Sequence, residues 1–246
     1  MILITGGSGR LGTALRFNFP DAALPPRSEL DITDHFSVDA YVKTFRPSMV
    51  IHAGAFTDVA LAEKERAQCW RVNVTGTRNV VESLALHVPK CHLIYISTAC
   101  VFSGLEGDYT EDSIPDPRNF YGLTKLIGEF IVQRMAFHLV VRTNFVECGP
   151  WPYPRAFVDR FGTYLYAHDV GAALRELVDT RSQGLIHVAG MDRMSMFELA
   201  RLTTPHVGTM TMAGTRIPLT VDMTLRSVKG RAYQLTLRRT SGSELL

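Results

Sequence analysis

Apolar residues in this chain fall into short unbroken runs separated by longer stretches of helical period. Met1 to Thr5 (MILIT) is followed by a glycine-rich turn, which predicts a buried strand feeding a helix from about Gly9 to Phe17. Asp31 or Thr33 can cap a second helix to about Phe45, Pro47 stops it, and Met49 to His52 makes the next buried strand. Asn73 to His87 carries Val74, Val80, Val81 and Leu84 at helical spacing, and His92 to Ile96 is β-branched and apolar enough for a strand. Phe120 to Met135 repeats the helical stripe and Leu139 to Val141 resumes a strand. Strands alternating with helices imply right-handed crossovers and an α/β fold with a parallel, doubly wound sheet. At Gly149 to Pro154 (GPWPYP) three prolines and two aromatics break the pattern and suggest a boundary. Beyond it, helices are expected over about 169–178 and 195–202, a strand over 185–189, and a frayed tail from Thr240. The organisation expected is a dinucleotide-binding domain over 1–148, with a contribution from 158–190, intertwined with a small region over 149–246.

The composition narrows the function classes. In 246 residues, 46% are hydrophobic and 20% charged, as in ordinary globular proteins. A net charge of +2 offers no footprint for nucleic acid or an anionic membrane. The absence of a long apolar run or a signal-peptide layout points to the cytoplasm. Cys69, Cys91, Cys100 and Cys148 lack metal-ligand spacing and read as thiols, with no metal expected.

Gly6, Gly9 and Gly12 form G-x-x-G-x-x-G between the first strand and helix, with Ser8, Arg10 and Leu11 between them. A tight turn, close backbone approach and a helix N-terminus suit the pyrophosphate of a dinucleotide. Downstream, PPRSELD places Arg27 and Ser28 where a ribose 2′-phosphate would sit, which favours NADP over NAD. Tyr121 and Lys125, four apart, share one helix face, and an ammonium beside a phenol is expected to lower the phenol pKa. Ser97 and Thr98 follow HLIYI at the carboxyl end of a strand, where a hydroxyl can polarise a carbonyl. Asn73 opens the helix before that strand, as an N-cap or a cofactor contact.

The stretches TGGSGRLG, RPSMVIHAGAFTDVALAE, NVTGTRNVVESL, YISTACVFSG, DSIPDPRNFYGLTKLIGE and TYLYAHDVGAAL resemble, in order, the extended short-chain dehydrogenase/reductases, most closely the dTDP-4-dehydrorhamnose reductase branch. The resemblance implies a Rossmann-type fold and an NAD(P)H-dependent reductase of a small-molecule carbonyl substrate, such as a nucleotide sugar, in a family where many members are dimers. It implies Thr98 as the hydroxyl, Tyr121 as the acid and Lys125 as its partner on the nicotinamide ribose. Asp31 and Ile32 would meet the adenine, Ala53, Gly54 and Ala55 would line the third-strand turn, and Thr57, Ala99, Phe145 and Arg142 would face substrate.

The chain departs from that branch where substrate would sit. Ala60-Leu61 stands for the usual Asp-Lys, Ala99-Cys100 for Asp-Tyr and Phe145 for Trp, and the segment after VVRTNF is shortened. A sugar-nucleotide epimerase, or a non-catalytic regulatory subunit of the methionine adenosyltransferase β type, therefore stays open beside the reductase.

Overall fold

The computed structural model describes residues 1–237, so the tail expected from Thr240 lies outside the described residues. Four apolar runs become the parallel strands β1 (Ile2–Thr5), β2 (Met49–His52), β3 (His92–Thr98) and β4 (His138–Thr143). They lie side by side in chain order, with Leu3 opposite Val50, Ile51 opposite Ile94 and Ile96 opposite Val141. The strand Gly184–Val188 completes the edge beside β4. At the opposite edge the second strand of the alternation is reduced to a bridge at Ala23, whose carbonyl accepts from Ile4 N and whose N–H donates to Ile2 O.

Successive strand residues point to opposite faces, and both faces are covered, which is why the runs are apolar throughout. Ile4, Ile94, Ile96, Leu139 and Val141 pack beneath α1 (Arg10–Asn18) and the helix Ala167–Asp179. Leu3, Leu93, Tyr95 and Val140 pack against α2 (His35–Phe45) and the helix Thr77–His87. Asp34, rather than Asp31 or Thr33, caps α2 by accepting from Phe36 N. Asp31 instead accepts from Thr33 N and Oγ1 in a local turn.

The segment before Thr77 is more helical than its sequence predicts. Two short helices (Val59–Lys64 and Arg66–Trp70) run through a π-helical turn (Arg71–Gly76) into the Thr77–His87 helix. Asn73 therefore sits inside a continuous helical stretch and is not an N-cap. After β4, short strands pair locally: 145–146 with 165–166, 155–157 with 208–210, and 161–162 between 194–195 and 222–223. The proline-rich stretch is coil, and no helix among the described residues is long and apolar enough to cross a membrane.

Candidate active site

The carboxyl ends of β1 to β4 open into a cleft of about 980 Å³. Its floor is the glycine turn. Gly6 is held at φ +73°, a conformation costly for a side chain, and a Cβ there would lie 2.7 Å from Gly54 backbone. A Cβ at Gly12 would come within 2.2 Å of Gly6 O, so the helix and the turn meet backbone to backbone. Gly9 caps α1 without a side chain, leaving the first N–H groups and the positive helix end facing the cleft. Gly6, Ser8, Gly9, Arg10, Leu11, Gly12, Ala53, Gly54 and Ala55 all line it, as the sequence suggested.

A second hollow of about 160 Å³ continues from the same turn, sharing Gly6, Ser8, Gly54 and Ala55 with the main cleft. Arg27, Asp31 and Ile32 line it, whereas Ser28 lines neither space. Burial raises the Asp31 pKa, but bonds from Thr33 and from Arg27 (3.1 Å) outweigh it and hold the carboxyl below its ordinary range. Arg71, which the sequence reading passed over, reaches Thr33 Oγ1 at 3.2 Å and adds a second guanidinium near this end. A turn that excludes side chains, an uncapped helix end and flanking arginines together fit a dinucleotide with an extra phosphate.

Above the floor, Thr98 and Tyr121 stand on one wall of the cleft. Thr98 ends β3 and accepts from Cys100 N at 3.1 Å, and its hydroxyl shares the cleft wall with the Tyr121 phenol. Tyr121 lies in the helix Phe120–Val132, which starts where Asn119 accepts from Gly122 N at 2.8 Å. Burial pushes the phenol well above its ordinary pKa, the Cys100 thiol adds to the rise, and the Thr98 hydroxyl opposes it. This reverses the expectation of a lowered phenol, because Tyr121 is 9% exposed and its loss of water outweighs its neighbours.

Lys125 corrects a second expectation. It is buried, does not line the cleft, and holds its ammonium 3.9 Å over the Tyr95 ring. Burial pulls its pKa down to about 7, with the Glu129 carboxylate foremost in opposing the fall. Glu129 is itself buried, accepting from Ser97 at 2.5 Å and twice from Arg142, at 3.0 and 2.7 Å. Arg142 is therefore spoken for by a buried carboxylate and is absent from the cleft wall, as is Ala99, whereas Thr57 and Phe145 do line it.

Asn73 lines neither space and is 1% exposed. Its amide clamps Phe56, accepting from the Phe56 N–H at 2.8 Å and donating to the carbonyl at 3.1 Å, and also donates to Thr124 Oγ1 at 2.9 Å. Thr124 in turn donates to Tyr121 O. From the other side, Gly54 N–H donates to Thr5 Oγ1, which bonds His52 Nδ1 at 2.7 Å, while His52 Nε2 meets Thr77 Oγ1 and Thr77 donates to Asn73 O. This buried chain ties the β2 turn to the helix of Tyr121. Burial, with the Lys125 charge adding to it, lowers the His52 pKa to about 3, so the imidazole is neutral. A histidine inside an apolar strand run was the signal in the sequence; its partners come from distant segments.

The far wall comes from the late segments. Trp151 and Tyr153, from the proline-rich stretch, line the cleft edge to face at 6.0 Å, and Met223 of the 217–223 stretch reaches it as well. Arg160 also lines it, buried, and did not figure in the sequence reading.

The model of the family described as RmlD substrate binding domain matches residues 1–149. A dTDP-4-dehydrorhamnose reductase of Aggregatibacter actinomycetemcomitans is 28% identical over 229 residues, covering 81% of this chain and 76% of that one. The methionine adenosyltransferase 2 subunit beta of Xenopus laevis is 35% identical over 235 residues, covering 80% and 69%. Among solved structures, dTDP-4-dehydrorhamnose reductase from Bacillus anthracis in complex with NADP superposes with a TM-score of 0.84 at 28% identity, covering 92% of this chain and 89% of that one.

Proposed function

The chain belongs to the RmlD substrate-binding-domain family, related to the dTDP-4-dehydrorhamnose reductases, and from this premise we propose that it is an NADP-dependent oxidoreductase that reduces a small-molecule carbonyl with Tyr121 as proton donor. One observation carries the reading: the Thr98 hydroxyl and the Tyr121 phenol both face the cleft whose floor is the glycine turn.

The glycine turn and the start of α1 would hold the pyrophosphate, with Arg27 and Arg71 toward the 2′-phosphate. Bound there, NADPH supplies the hydride. Thr98, its oxygen already engaged by Cys100 N–H, directs its proton to the substrate oxygen and polarises the carbonyl. Tyr121 then gives its phenolic proton to that oxygen as it gains charge. A raised phenol pKa keeps the donor protonated at neutral pH, which is the state reduction requires. Lys125, behind the wall and poised near 7, would help restore the proton from within the protein.

Tyr121→Phe tests the reading. NADPH titration should be unchanged, while NADPH oxidation over a panel of ketones and keto sugars, run beside NADH, should fall by about 10²- to 10⁴-fold. A variant that keeps its turnover removes Tyr121 from the chemistry. The 35% identity to a methionine adenosyltransferase subunit favours a second reading, a regulatory subunit that binds the dinucleotide without turnover. Intact NADP binding beside a silent panel in the unmodified protein would select it.

A further inference from the structure

Two arginines are buried among the described residues, and they differ in one respect. Arg142 has Glu129 as a bidentate partner. Arg160, 8% exposed, has no carboxylate within 4.0 Å among the described residues. Its Nε donates to Thr220 O at 2.9 Å, and its two terminal nitrogens are left with thioethers, Met196 Sδ at 3.4 Å and Met223 Sδ at 3.3 Å. Sulfur is a weak acceptor, and a guanidinium removed from water without a counter-ion is held at considerable cost. The side chain nevertheless lines the catalytic cleft, where a ligand can reach it.

Its place relative to Thr98 bounds the ligand. Met223 Sδ, which accepts from Arg160, is 3.8 Å from Cys100 Sγ, and Cys100 N–H binds the Thr98 hydroxyl. The guanidinium thus flanks the same stretch of wall that would hold the reacting carbonyl. The side chains it touches, Met196 and Met223, are uncharged, and the other charged side chains of the cleft lining are Arg10 and Glu147.

We propose that Arg160 is the recognition group for an oxyanion on the substrate itself, so that the carbonyl compound carries a carboxylate or phosphate a few bonds from the reducible carbon. The proposal rests on the reductase reading for the word substrate, but the oxyanion site does not depend on turnover. A planar fork with unused donors is matched by a planar carboxylate or by phosphate oxygens, and the ligand supplies the counter-charge that the protein lacks.

Calorimetric titration of the NADP-saturated protein at low salt tests this, with sodium malonate, inorganic phosphate and neutral malonamide as probes. Saturation with NADP keeps the probes off the glycine turn. Malonate or phosphate should bind and malonamide should not; which oxyanion wins separates an acid substrate from a phosphorylated one. Arg160→Met should weaken the winning probe about 10- to 100-fold, and Arg160→Lys should recover part of the loss. Both variants are first checked for cooperative melting and unchanged NADP affinity; should the methionine variant fail to fold, the lysine variant must still weaken the probe. Absence of binding by either oxyanion, equal binding of malonamide, or full affinity in a folded Arg160→Met protein would each overturn the proposal. If the unmodified protein takes the oxyanion but not NADP, the reductase reading fails and the oxyanion site remains.

Discussion

Replacing Lys125 by methionine should make the protein more stable at pH 7. An ammonium whose pKa falls from 10.5 to about 7 on folding leaves the folded state with fewer bound protons than the unfolded chain between those values. Stability therefore rises with pH across that window, and the burden is greatest at its acid end. At about 1.4 kcal/mol per pH unit, it reaches about 4 kcal/mol at pH 7. The Tyr95 face, 3.9 Å from the charge, returns about 1 to 2 kcal/mol as a desolvated cation–π contact. The net advantage of Lys125→Met is then about 2 to 3 kcal/mol at pH 7, shrinking toward zero near pH 10.

Urea unfolding of both proteins at pH 7, 8 and 9 measures this difference directly. Other groups titrate in the same range with the opposite sign. Burial pushes Cys69 up and Cys91 up to about 12, so these thiols stay protonated in the folded state after the unfolded ones ionise, and they lower stability as pH rises. Cys91 behaves alike in both proteins and cancels in the difference, whereas Cys69, which the Lys125 charge pulls down, rises further in the variant and steepens the contrast. If the two stability curves run parallel from pH 7 to 9, Lys125 is not held with a lowered pKa, and its proposed part in returning the proton loses its physical basis. The variant should also lose turnover, so stability and activity move in opposite directions, as expected of a charge buried for function.

The remaining predictions concern the cleft floor and the buried chain behind it. Gly12→Ala should abolish NADPH binding in a fluorescence titration and lower the melting temperature, because the new Cβ meets backbone, at 2.2 Å from Gly6 O and 2.6 Å from Gly7 Cα, and neither can yield cheaply. Asn73→Ala should cost about 2 to 4 kcal/mol in urea unfolding, since both polar groups of Phe56 lose their partner at once; a loss below about 0.5 kcal/mol would mean that the clamp is dispensable. His52, with a pKa lowered to about 3, stays neutral after unfolded histidine takes its proton near 6.5, so stability is lost as pH falls from about 6.5 toward 3. Acid unfolding should accordingly be shallower in His52→Gln than in the unmodified protein, and identical acid slopes would remove the histidine from the account.

The parts of the fold legible in the sequence are those that local rules determine. The β2 run Met49 to His52 and the helix beginning at Phe120 were read at their observed starts, because an unbroken apolar run and an apolar stripe of helical period are local signals. The glycine turn was legible for the same reason: its spacing states a backbone geometry. The helices at 59–70 and the π-helical turn were missed, since they are short, mixed in polarity and held by packing against the helix of Tyr121. The pairing at Ala23 was not legible as a strand, because a single bridge leaves no periodic trace.

At the site, residue identity was legible and environment was not. Thr98 and Tyr121 both line the cleft, yet the sign of the phenol shift was reversed, because spacing of four on a helix does not say that the Lys125 ammonium will turn to the Tyr95 ring and that burial will dominate at Tyr121. Arg142 and Arg160 show the same limit from opposite sides. Both are single arginines in apolar surroundings, and sequence distance gives no hint that Glu129, 13 residues before Arg142, neutralises one while the other meets two methionines from segments 36 and 63 residues further on. Whether a buried charge is structural or recognises a ligand depends on its counter-ion, and that is a property of the tertiary fold. The local pattern therefore pointed to the candidate residues, while a guanidinium with no carboxylate partner among the described residues emerged only when the late segments were laid against the sheet.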